Sequence, residues 1–474
     1  MSFAESKKNT SAGAEMIRSV AIDLSGSEKV AGDPAETVAI DMGKPVVVKT
    51  ERVAPDGGFG WAVAVTSFLV TFLVTGFSKS FGIMRSAIVE EFPSSTNLEA
   101  NWITGVIGCV SLMMSPLTGM CMASFGPGIL VAVGYVLCSI GLGISYFANS
   151  AVHLIACLGI LMGIGSSFVI TSAVGCTAKY FTTRKPAAMT IALSGGCIGA
   201  IVMPYILRPM LASLGLGLTF VALAGIYLAM ALTGLVYANP EGHFIIEAKE
   251  VPVEDATTSE STQTVPRPLL ERMWNGCVER MALRYISRPL FIVMACSVFA
   301  ITMGSPHFIA QISGRARAVG ATADNLALFT LLTQLADLCA RLVYGMLASK
   351  SPLKRSLEYA VALGVAASCA AIAFFCNSFW QLAVLGFIGA FAAGVINIAV
   401  PLVLSANHGA KNMSSTLNLV RWCQGISGLI YRGMSPELPS LVNGTPLLLI
   451  LNTTNLWFAV LMAVVMCLLP TDTM

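Results

Sequence analysis

The stretch Leu326-Ala-Leu-Phe-Thr-Leu-Leu-Thr-Gln334-Leu-Ala-Asp337-Leu-Cys-Ala-Arg341-Leu-Val-Tyr-Gly-Met-Leu347 decides how this chain is read. A helix needs about 20 mostly apolar residues to cross the hydrocarbon of a bilayer, and this run is long enough. Asp337 lies near its centre and Arg341 follows one turn later. A charge at bilayer depth costs about 2.5–3.5 kcal/mol on the insertion scale, so such residues are rare and face a bundle interior or a water-filled path. At i and i+4 the two side chains share one helix face and can pair. Two readings follow from position: a self-neutralising pair that lowers the insertion cost, or a working site.

Composition supports the membrane reading. The chain is 55% apolar with a mean hydropathy of +0.77, and only 11% of its 474 residues are charged. Soluble domains carry about 25%, which excludes an ordinary soluble enzyme. The net charge of +3 suggests no nucleic-acid partner. The 13 cysteines are scattered, mostly in apolar runs, with no C-x-x-C and no Cys–His spacing. Neither a disulfide framework nor a metal site is expected, nor any cofactor. No paired carboxylates or nucleophile motif argue for an enzyme.

Residues 1–52 are polar and read as a mostly disordered tail with no signal peptide or myristoylation signal. Twelve apolar segments follow, near 60–82, 100–123, 129–147, 152–178, 186–210, 216–238, 289–311, 325–347, 357–375, 380–405, 412–434 and 446–469. A polar stretch separates the sixth from the seventh. This predicts an all-α polytopic membrane protein of twelve transmembrane helices in two six-helix halves, 53–239 and 289–470, with a short tail at 471–474. Six, gap, six is the layout of a two-half transporter with its site at the midplane between halves. Of the connecting stretch 240–288, the acidic part to 266 reads as a disordered linker. The part from 267 reads as an amphipathic helix on the inner membrane surface, with Arg280, Arg284 and Arg288 in one row. Lys179, Arg184, Lys185, Lys350, Lys354, Arg355 and Lys411 fall in the even-numbered loops. By the positive-inside rule both termini are cytosolic. The sequon at Asn443 then falls outside.

Three further stretches carry chemistry-bearing residues. Asp56-Gly57-Gly58-Phe59-Gly60-Trp61 precedes the first segment. Asp56 can cap the helix start, and Trp61 suits the interfacial belt. Lys79 lies 18 residues beyond Trp61, about 27 Å along a helix. Snorkelling to the outer interface and a site role both stay open for it. Thr75, one turn away on the same face, is a polar neighbour. The third stretch runs from Tyr180-Phe181 through Arg184-Lys185-Pro186 to Ser194-Gly195-Gly196-Cys197-Ile198-Gly199. Pro186 suits a first helical turn, and the basic pair suits an inner-gate salt bridge.

Together these stretches resemble the signatures of the monocarboxylate transporter family, within the major facilitator fold. Asp56 to Trp61 is similar to its first signature, and Tyr180 to Gly199 to its second. Lys79 stands where proton-coupled members have a helix-one lysine, and Asp337-x-x-x-Arg341 matches the family's pair on helix eight. The resemblance covers roughly residues 53–239 and 289–470. There are departures: Lys185 for arginine, Thr190 for glycine, Met189 for a polar residue, and no Asp or Arg within 124–128. Helix eleven ends Ile430-Tyr431-Arg432-Gly433 and contains an atypical Arg421.

The resemblance implies electroneutral proton-coupled symport of a small monocarboxylate, of the lactate or pyruvate type, by alternating access. Arg341 is expected to bind the anion bidentately, with Lys79 and Thr75 beside it, while the titratable Asp337 and Lys79 handle the proton. The family-signature and gating positions are Asp56, Gly57, Gly58, Trp61, Tyr180, Phe181, Arg184 and Lys185. Expected partners are the anion, the proton and the bilayer, with a single-span glycoprotein chaperone as some relatives use. The expected location is the plasma membrane. Two other functions are open: a proton-independent carrier of a bulkier carboxylate or aromatic amino acid, and a non-transporting membrane sensor. Lys79 argues against the first, and the lack of a long folded tail against the second.

Overall fold

Aromatic and branched residues in long runs with few charges leave the backbone one economical solution in hydrocarbon, which is the helix. The computed structural model describes residues 36–41, 44–53, 57–92, 97–181, 184–238, 245–252, 288–348, 353–373, 375–408, 413–434 and 447–468. They fall into two compact units.

The larger unit is helical. Its first half comprises α1 (Phe59–Glu91), α2 (Asn97–Met113), α3 (Ser115–Phe125), α4 (Pro127–Ile144), α5 (Ala151–Leu154), α6 (Gly163–Tyr180) and α7 (Lys185–Met230). Its second half comprises α8 (Pro289–Ala318), α9 (Ala323–Leu347), α10 (Arg355–Ala373), α11 (Phe379–His408), α12 (Met413–Met434) and α13 (Leu447–Leu468). Among the described residues the apolar stretches lie mostly on helix, but not always on one. The second stretch bends by 51° between α2 and α3, beside Pro116 in the first turn of α3. The fourth passes through a π-helical segment, Ile155–Met162, between α5 and α6. The fifth and sixth form one long element broken at Gly215, whose φ of 73° only glycine adopts without strain. Among the described residues seven helices are long and apolar enough to cross a membrane, and the bent pair makes an eighth.

Each half has its own core. In the first, Phe77, Tyr135 and Tyr227 are buried among helices α1, α4 and α7. In the second, Tyr359, Leu363 and Ala399 anchor one cluster and Phe329 and Ala370 another. Small residues set the close packings. A Cβ at Gly76 would lie 2.7 Å from Gly199 Cα, so α1 and α7 meet backbone to backbone. Gly159 and Gly163 sit equally close to Val106 and Val110 of α2. These are the approaches that small-x-x-x-small spacing permits.

The smaller unit corrects the sequence reading. Strands β1 (Glu36–Asp41), β2 (Lys44–Val53) and β3 (Ile245–Pro252) form an antiparallel sheet in the order β1-β2-β3. Glu36 pairs with Lys49, and Val48 with Glu250. Polar composition argued for disorder in both the tail and the linker. The local signal in β2 is Val46-Val47-Val48, a β-branched run that fits a pleated surface. The amphipathic stretch from 267 to 287 and the sequon at Asn443 lie outside the described residues.

Candidate functional site

The site grows from one carboxylate. Asp337 and Arg341 stand one turn apart on α9, both buried, at 7% and 8% exposure. The guanidinium lies edge-on to the carboxylate: Nε donates to Oδ1 at 2.8 Å and Nη2 to Oδ2 at 3.0 Å. Such a bidentate pair is the strong form of a charge-assisted bond. The first half adds the rest. Lys79 Nζ, from α1, donates to Asp337 Oδ2 at 3.1 Å and to Gln334 Oε1 at 2.9 Å. The Cys197 thiol, from α7, donates to the same Oδ2 at 3.1 Å. Arg341 Nη1 donates to the Leu193 carbonyl at 3.1 Å, and Thr190 Oγ1 to the Arg341 carbonyl at 3.3 Å.

A buried ion pair is tolerable only if its remaining polar atoms are satisfied. Here one carboxylate faces two cations and a thiol, so Lys79, Asp337 and Arg341 together carry one net positive charge. Glycines let the helices reach these contacts. A Cβ at Gly394 of α11 would sit 2.7 Å from the Asp337 carbonyl and 3.0 Å from Oδ1. A Cβ at Gly345 of α9 would overlap Thr190 Oγ1.

A cavity of about 170 Å³ opens beside this cluster. Arg341, Arg421, Asn397 and Gln424 give it a polar side, and residues such as Leu193 and Val298 an apolar one.

The structure brings Lys79, Asp337 and Arg341 together, as the sequence reading expected. Thr75 packs its side chain on Gly196 at the α1–α7 contact, and of Thr75, Lys79, Asp337 and Arg341 only Arg341 is among the residues lining the cavity. The fork of Arg341, expected to face an incoming anion, is engaged by Asp337. Two partners of the cluster, Gln334 and Cys197, carried no assigned role. The spacing Gly195-x-x-x-Gly199 signals a close approach of α7, here onto α1, the helix that carries Lys79, but not the direction of the Cys197 side chain.

The two signature stretches meet at one end of the first half. Trp61 packs against Phe181 with ring centroids 5.0 Å apart, and Gly60 gives Phe181 its space. Tyr180 is buried, Arg184 exposed and Lys185 half-buried. Among the described residues neither Arg184 nor Lys185 forms an ion pair. Pro186 occupies the first turn of α7 as expected. The N-cap of α1 is Gly58, at a φ of 54° and with no side-chain cap of its own. A positive φ there calls for glycine, and Gly57 precedes it at half burial. Asp56 itself lies outside the described residues.

A two-half helical membrane protein with an ion cluster and a polar cavity between its halves defines the class of a solute carrier. The family description "Major Facilitator Superfamily" matches residues 60–431, and the chain belongs to that superfamily. It is therefore a transporter and not an enzyme. Its relatives are monocarboxylate transporters. It is 24% identical over 389 residues to Monocarboxylate transporter 12 of Rattus norvegicus, covering 79% of each chain. It is 25% identical over 392 residues to Monocarboxylate transporter 12-B of Danio rerio, covering 79% of this chain and 80% of the relative. It is 28% identical over 310 residues to Monocarboxylate transporter 11 of Mus musculus, covering 64% and 63%.

Proposed function

We propose that the protein couples a proton to the passage of a small monocarboxylate, of the lactate or pyruvate type, by alternating access of two six-helix halves. The observation that carries this is the junction of Lys79, from one half, with Asp337 and Arg341, from the other. Asp337 and a carboxylate substrate compete for the same two cations. A proton on Asp337 frees both for the incoming anion.

Charge arithmetic then enforces coupling. The empty cluster carries two positive charges and one negative, a net of one positive. With proton and anion both bound, Asp337 is neutral and the anion supplies the negative charge, so the net is again one positive. A proton alone raises it to two, and an anion alone lowers it to zero. Moving the proton-only form through a low-dielectric seam adds an electrostatic cost, and the anion-only form is disfavoured because the ionised Asp337 still holds both cations. The empty and fully loaded forms share one charge state, and exchange between them is electroneutral.

The cavity supports a small solute over a bulky one. Its volume of about 170 Å³ is below the about 300–1,000 Å³ of pockets for drug-sized ligands. The names of the relatives also speak for a monocarboxylate. The corresponding setting is the plasma membrane, with both termini cytosolic and a single-span glycoprotein chaperone as a candidate partner. Uptake of labelled L-lactate by cells expressing the full chain, at two external pH values, tests the reading. Faster uptake from the acidic medium is expected. Rates indifferent to external pH, or preference for aromatic amino acids in the same panel, would reject it.

A further inference from the structure

We propose that Arg421 is the first carboxylate anchor of the cavity, receiving the anion while Arg341 is still engaged by Asp337 and before a proton on Asp337 frees Arg341 to share it. The proposal rests on the carboxylate-transport reading and refines where the substrate sits.

Arg421 lies on α12, half-buried, and lines the same cavity as Arg341. Among the described residues it has no hydrogen-bond or ion-pair partner. A guanidinium held away from bulk water without a counter-ion is costly, and an anion entering the cavity removes that cost. Arg341 is in the opposite condition, because Nε and Nη2 donate to Asp337 and Nη1 to the Leu193 carbonyl. The planar fork available for bidentate capture of a carboxylate is therefore that of Arg421.

The surroundings suit a short acid with a second polar group. Gln424 follows Arg421 at i+3, on the same helix face, and also lines the cavity. Asn397 faces them from α11. Pro401, one turn on, has no N–H for the Asn397 carbonyl, and it too lines the cavity. That wall thus holds two side-chain amides and a main-chain carbonyl released from its helical donor. A short 2-hydroxy or 2-oxo carboxylate matches it, with its carboxylate on Arg421 and its second oxygen toward Asn397 and Gln424.

The test is thermal unfolding of the purified full chain with sodium L-lactate or with the uncharged lactamide, in the wild type, R421Q and R421K. Ligand that binds the folded state raises the midpoint. Lactate, and not lactamide, is expected to stabilise the wild type. R421Q should weaken lactate binding by about tenfold to a hundredfold, the loss expected for charge-assisted bonds, and R421K by less. Without ligand, R421Q should unfold no earlier than the wild type, since no partner is lost. Wild-type lactate binding in R421Q, or a lowered ligand-free midpoint with binding intact, overturns the proposal and leaves the transport reading standing. A wild type that responds to no carboxylate overturns both.

Discussion

Replacing Asp337 with asparagine should uncouple the carrier without stopping exchange. The carboxylate accepts four bonds: one on Oδ1 from Arg341, and three on Oδ2 from Arg341, Lys79 and Cys197. An asparagine has one acceptor oxygen and a donor amide. Whichever way it turns, an N–H₂ faces either Arg341 Nε or the three other donors. Breaking a buried pair by removing one partner costs about 3–5 kcal/mol. The Lys79 side chain is 31% exposed, which water screens, so the lower end applies. About 3 kcal/mol is roughly a hundredfold in the population of the empty, closed arrangement, at tenfold per about 1.4 kcal/mol. The loaded form is affected less, because asparagine is neutral like a protonated Asp337. In vesicles with an interior alkaline by one pH unit, one proton per anion supports about tenfold accumulation, since a pH unit is worth about 1.36 kcal/mol. Wild-type protein should approach that ratio. D337N should reach no more than the external concentration, while exchange of external labelled lactate for internal lactate persists. Gradient-driven accumulation by D337N would refute the competition between Asp337 and the anion.

Arg341→Lys keeps a charge but cannot reach both Asp337 oxygens and the Leu193 carbonyl, so gradient-driven uptake should fall at least about tenfold. Unchanged apparent affinity and rate in an uptake titration would exclude a role for its fork. Lys79→Met removes the inter-half ion pair, and pH dependence of lactate uptake should flatten. Gly345→Ala should push α9 from α7 at a cost of about 1–3 kcal/mol, seen as a lower unfolding midpoint. Thr190→Ala should restore only part of it in the double variant, because it removes Thr190 Oγ1 but leaves the Cβ, which lies 2.7 Å from the added methyl. Cys197→Val deletes one thiol donor to Asp337 and should change uptake only a few-fold, about 0.5–1.5 kcal/mol, with Cys197→Ser closer to wild type.

Charge in an apolar run is the clearest thing a membrane sequence can say, and Asp337, Arg341 and Lys79 were legible for that reason. Asp337 and Arg341 were also legible as a pair, since i, i+4 spacing is local. Their meeting with Lys79 followed from the two-half layout. Cys197 and Gln334 were not legible, because nothing along the chain says which way the cysteine points or which acceptor a lysine 255 positions away will choose. Arg341 was assigned the anion because a guanidinium fork suits a carboxylate. That argument does not reveal that the fork is occupied by its own neighbour. Among the described residues the free fork is that of Arg421, which the sequence marked only as atypical. Apolar runs gave the spans but not their breaks. The bend between α2 and α3 and the π-helical segment before Gly163 depend on packing. At Gly215 the turn residue was present, and the chain does reverse its conformation there. The sheet of β1, β2 and β3 was missed because net polarity outweighed a short β-branched run whose partner strand lies some two hundred residues on.

The central claim, that one proton travels with each carboxylate, is tested most directly by the lumen of a reconstituted vesicle. The full chain is placed in liposomes enclosing a pH-sensitive dye, with no pH gradient and the membrane potential clamped at zero. Adding L-lactate outside should acidify the lumen at a rate equal to lactate entry, and imposing a potential of either sign should leave that rate unchanged. Lactate entry without acidification, or an acidification rate that follows the imposed potential, would contradict the account.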